Sequence, residues 1–142
     1  MSRIGRVAAR SRRYRSISCP IVSRLATTCG DKLDCYLDKL GDPASQKEET
    51  QFQGIKSAYM IGVLGKPEAR AKILALMPKL TNAAVRFVSV SVIDFLSPKG
   101  DTAIAAELQK IVDAAAATKD AEKTRLNSAF PTVIYRLNAR AQ

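Results

Sequence analysis

Seven arginines and not one acid occupy the first thirty residues: Arg3, Arg6, Arg10, Arg12, Arg13, Arg15 and Arg24. No lysine shares the stretch, so it carries +7 of a total net charge of +10 over 142 residues. Residues 31–142 hold 16 basic and 13 acidic side chains, a balance of only +3. Guanidinium groups so crowded repel one another until an anion neutralises them. The chain is therefore a nearly balanced body with a strongly cationic arm. Two parts result: an arginine-rich arm over residues 1–19 and a folded domain over residues 20–142. Within the arm, Arg3, Arg6, Arg10 and Arg13 fall on one stripe of a helix, with Ile4, Val7, Ser11 and Tyr14 beside it. The arm is expected to be extended or helical.

Past the arm, apolar residues recur with the 3.6-residue period of helices. Pro20 suits a first helical turn. Val22, Leu25, Ala26, Cys29, Leu33, Tyr36, Leu37 and Leu40 then make one face, ended by Gly41, Asp42 and Pro43. Gly30 weakens the middle of that helix by about 1 kcal/mol relative to alanine. Ser45 and Glu48 have the spacing of a capping box. A second helix carries Phe52, Ile55, Tyr59 and Val63 and stops at Gly65. Its Gly54, Ala58 and Gly62 form a stripe of small residues that would let another helix approach closely.

Pro67 opens a third helix through Ile73, Leu74, Met77 and Leu80, which Pro78 kinks or ends. Asn82 is a cap for the next segment, residues 83–96. Residues 88–92 alternate valine and serine like a strand. Yet Val85, Val88, Val92, Phe95 and Leu96 share a helical face, and no second strand is present to pair, so a helix is predicted. A turn comes next, over residues 97–100. Asp101 caps a helix marked by Ile104, Leu108, Ile111, Val112 and Ala115. Asp120 caps the last one, with Leu126, Phe130, Val133, Ile134 and Leu137 on its core face and a bend at Pro131. The expected fold is all-α, a bundle of about five helices.

Several kinds of chemistry lack their residues. No histidine is present, so the usual general base near neutral pH is missing. The three cysteines, Cys19, Cys29 and Cys35, do not close a disulfide framework, and no histidine completes a zinc site. On one continuous helix Cys29 and Cys35 lie off a common face and read as small buried hydrophobes; a Cys19 pairing is the alternative. Asp31, Asp34, Asp38 and Asp42 read as a solvated helix face. Residues 62–67 superficially resemble a phosphate-binding loop, but Pro67 stands where serine or threonine is required. The longest apolar run, 83–96, is broken by Arg86 and Asp94 and is too short to span a membrane. No apolar segment succeeds the basic start as a secretory signal needs. We expect no enzyme, no cofactor, no metal and no small-molecule substrate.

Arginine presents a planar, permanently charged fork that matches phosphate oxygens in pairs. The seven arginines are therefore the candidate nucleic-acid contacts, with Tyr14, Ser16 and Ser18 interleaved. Backbone contacts of this kind position a protein without reading base sequence. The absence of tryptophan argues against a base-stacking platform. Neither zinc-finger spacing nor an RNA-recognition signature appears. Two other readings fit the same stretch. An arginine- and serine-rich, acid-free, amphipathic start is also the pattern of a mitochondrial transit peptide of about thirty residues, which would make the chain an accessory subunit of a large complex. The arm also suits an anionic lipid surface.

With the arm at residues 1–15 and an apolar, Gly- and Ala-rich helical half from Gly54 onward, the layout resembles the major coat proteins of rod-shaped and filamentous archaeal double-stranded DNA viruses. Leu80, Thr81 and Asn82, and residues 104–112, are similar to later helices of that family. The resemblance implies a virion protein whose subunits pair with copies of themselves or a paralogue. N-terminal helices would wrap duplex DNA held in A form, and the helical bodies would pack into a filament. By position, the arm arginines would be the DNA contacts. The acidic stretch 31–49 departs from a uniformly basic inner surface and would face away from DNA or meet a neighbour.

Overall fold

The computed structural model describes residues 29–142, and among them every regular element is helical. The chain divides after Asp31, and Lys32–Gln142 forms one compact unit. That unit contains seven α-helices: α1 (Leu33–Gly41), α2 (Phe52–Leu64), α3 (Ala69–Leu76), α4 (Ala83–Phe95), α5 (Thr102–Ala117), α6 (Ala121–Leu126) and α7 (Phe130–Arg140). The all-α expectation holds, with more and shorter helices than the five foreseen.

The extra elements come from two breaks. Gly30 turns with φ +60° and Lys32 is extended, so the helix expected to run unbroken to Leu40 instead begins at Leu33. A left-handed residue ends a helix at little cost when it is glycine. The portion of that helix over residues 20–28 lies outside the described residues. The cysteine reading changes with the break: Cys29 and Cys35 are disulfide-bonded, not simple buried hydrophobes. The argument against it assumed one continuous helix, which the chain does not form. The second break is at residues 127–129. Asn127 ends α6, and Pro131 sits in the first turn of α7, where its missing N–H costs nothing. Pro131 therefore opens a helix instead of bending one.

Several ends fall where local chemistry put them. Asn82 Oδ1 accepts from Val85 N, and Asp101 Oδ1 accepts from Ile104 N, each satisfying an amide with no partner inside its helix. Asp120 caps α6 through Glu122 N. Gly65 closes α2 at φ +66°. Pro78 ends α3 as an α-helix, and the chain continues as a 3₁₀ turn over Met77–Lys79. The capping box at Ser45 does not form. Ser45 instead donates to the Lys39 carbonyl, residues 43–50 are mostly 3₁₀, and α2 starts at Phe52 without a side-chain cap.

α4 is the central element, packed against α2, α3, α6 and α7. Tyr36, Leu40, Ile61, Ile73, Met77, Ile93, Leu108, Phe130 and Leu137 are fully buried in the core. At about 25 cal/mol per Å² of apolar surface removed from water, this burial is the main stabilising term. α5 packs against α7, and the turn leading into α5 comes closer still: a Cβ on Gly100 would stand 2.3 Å from the Leu137 carbonyl oxygen. Only glycine fits there.

Candidate functional site

The sequence places its site on the seven arginines, and Arg3, Arg6, Arg10, Arg12, Arg13, Arg15 and Arg24 all lie outside the described residues. The described unit contributes two other features: a buried arginine and an uncovered apolar face.

Arg86 sits in the middle of α4 and is almost completely buried. Its Nε donates to Asn127 Oδ1 at 2.9 Å, and its Nη1 donates to the carbonyls of Met77 and Leu80 at 2.6 and 2.9 Å. The guanidinium carbon lies 5.2 Å from the centroid of Phe130, within reach of a cation–π contact. Burial lowers its pKa below the ordinary arginine value. These partners come from the end of α3 and from the 127–130 break, so one side chain ties both to α4. The interruption it makes in an apolar run was visible in the sequence; the partners were not.

The face arises from how α2 packs. Its small stripe is its contact with α4. A Cβ on Gly54 would lie 2.8 Å from Val85 Cγ2 and 2.9 Å from Ser45 Cβ, and one on Gly62 would lie 3.5 Å from Val92 Cγ2. Ala58, between them, is fully buried. The close approach that the stripe permits is thus used, by a helix of the same chain. Because Gly54 faces Val85 and Gly62 faces Val92, α2 and α4 run parallel.

The larger residues of α2 consequently point outward. Phe52, Tyr59 and Val63, which sequence periodicity offers as a core face, are each more than half exposed. On α4, Phe87 and Phe95 are exposed too. At about 100° per residue, the exposed stripe lies about 120° to one side of the contact line on α2 and about 110° to the other side on α4. For parallel helices those displacements put both stripes on the same side of the pair. Half-buried Ile55, Ala84, Val88 and Ser91 lie lower, between the protruding rings. Charge is sparse, and Arg136 of α7 borders the face beside Phe87 and Ser91. α2 has only Lys56 and no acid, and the one carboxylate of α4, Asp94, is largely covered by ion pairs to Arg136 and Arg140 of α7.

The remaining candidates are ordinary surface. Asp34, Asp38 and Asp42 are exposed; Asp34 pairs with Lys72 at 3.1 Å, and Asp42 accepts from Ala44 N. Residues 62–64 are helical and Gly65 is a helix cap, so no phosphate-cradling loop forms there. Among the described residues no cluster of histidine, cysteine or carboxylate side chains is arranged to hold a metal ion, and no helix is long and apolar enough to cross a membrane. No protein family, curated protein or solved structure matches this chain.

Proposed function

We propose that the chain is a structural, non-catalytic protein that packages nucleic acid. The arm grips the phosphate backbone, and the helical body is the building block of an assembly. The observation that carries this reading is the separation of charge: +7 in the first thirty residues against +3 in the remainder. A general polyanion attraction would be served by charge spread over the surface. Concentration on one segment instead favours a tether that holds a linear anion while the body stays free to pack. Duplex DNA is the preferred ligand, because arginine forks match its phosphates and the chain lacks tryptophan for stacking on single strands. Under this reading binding is independent of sequence, no cofactor takes part, and the site of action is a virion of the kind the coat-protein resemblance implies. The uncovered face of α2 and α4 supports an assembling body, since apolar patches of this kind mark surfaces that are covered in use.

Deletion of residues 2–15 removes six of the seven arginines. Retention of duplex DNA in a gel-shift measurement should then be lost, while the helical circular dichroism of the body is unchanged. Retention that survives the deletion would rule the reading out.

A further inference from the structure

We infer that the outward face of α2 and α4 is the surface on which a second copy of this chain docks, through an isologous, two-fold contact. The choice of a second copy as occupant rests on the packaging reading; the face itself does not.

Three observations select that occupant. The first is area. Phe52, Tyr59, Val63, Phe87 and Phe95 are each 57–72% exposed. With aromatic side chains contributing about 150–250 Å² each, they present on the order of 500 Å² of apolar surface per copy. Pairing two such faces buries about 1,000 Å², the threshold for a specific interface. The second is charge. Residues 31–142 carry 16 basic and 13 acidic side chains, so much of the body's surface is charged and would have to be matched sign for sign in a contact. This face carries Lys56 on α2 and borders Arg136 of α7, whose charge is offset by Asp94, so few like charges oppose one another when two copies meet here. A strongly acidic partner would find few cations on it.

The third observation is shape. Protruding rings flank a lower floor of Ala84, Val88 and Ser91. A two-fold axis through the face lays the ridge of one copy into the floor of the other, the ridges-into-grooves fit by which helices pack. Such an interface is self-complementary, as a two-fold requires.

The test uses the full chain, freed of nucleic acid and held at high salt so that arm-mediated bridging is absent. Sedimentation velocity from about 1 to 100 μM should show a concentration-dependent dimer for the wild type. Tyr59→Glu and Phe95→Glu each change a side chain that is already exposed, so circular dichroism should be retained. Each should raise the dissociation constant by about a hundredfold or more, as loss of a central aromatic anchor does. Ala116→Glu puts the same charge on the exposed end of α5 and should leave association unchanged. A wild type that stays monomeric overturns the proposal, and flotation of that monomer with uncharged phosphatidylcholine vesicles, lost in Phe95→Glu, would assign the face to lipid. Association that survives both face variants, or falls equally with Ala116→Glu, overturns it as well. DNA retention by the face variants is read separately, so failure here leaves the arm's role standing or falling on its own deletion.

Discussion

α2 and α7 are both amphipathic by sequence, and they solve the burial problem in opposite ways. α7 turns most of its large residues inward: Phe130, Val133, Ile134 and Leu137 are buried, and Tyr135 alone among its large apolar side chains stands out on an otherwise mostly polar outer side. α2 turns its small residues inward, Gly54, Ala58 and Gly62, and leaves Phe52, Tyr59 and Val63 outside. The difference lies in the partner. α7 fills space beside α5 and under Arg86, where volume is needed. α2 lies hard against α4, where the valine side chains of α4 occupy the space and a Cβ on α2 has no room. Size on a helix face therefore reports the distance to its neighbour before it reports burial. A helix with apolar residues all round is expected to be covered all round; among the described residues α2 is covered on one side only.

That contrast can be broken by substitution. Phe130→Ala should have the largest effect, a loss of about 3–5 kcal/mol in unfolding free energy, because it opens a cavity in the core and strips the ring from beneath Arg86. Urea denaturation monitored by circular dichroism measures it. Gly54→Ala should come next, with a loss of about 1–3 kcal/mol from overpacking against Val85 and Ser45. Its sign is the sharper reading. On an uncrowded helix the same change would stabilise by about 1 kcal/mol, so a gain in the urea midpoint would mean α2 and α4 are not in close contact. Val63→Lys should be smallest, within about 0.5 kcal/mol, although it removes an apolar residue from a helix interior position. A loss comparable to that of Phe130→Ala would show that the outer side of α2 is covered by its own chain.

Much of the fold was legible where a single side chain decides a local event. Asn82, Asp101 and Asp120 cap the helices they precede, Gly65 ends α2, and the segment with strand-like alternation is helical because nothing is present to pair with it. The small-residue stripe foretold a close helix contact, though not which helix would make it. Periodicity failed where tertiary distance overrides it: the 3.6-residue pattern of Phe52, Ile55, Tyr59 and Val63 is real, but it describes the side away from the core. It failed also at Gly30 and at residues 127–129, since apolar spacing can stay in phase across a break. Ser45 shows the same limit, because its hydroxyl found the Lys39 carbonyl before it could cap α2. For the candidate site, charge alone proposes the arm, which lies outside the described residues, whereas the apolar face on the body required knowing that α2 and α4 are parallel neighbours.

The most direct check of the arm's role is the salt dependence of duplex-DNA binding by the intact chain. Seven arginines neutralising duplex phosphates release counterions, and log affinity should fall against log salt with a slope of about −6. That slope should be the same on duplexes of unrelated sequence. A slope shallower than about −2, or one that depends on sequence, would contradict phosphate binding by the arm.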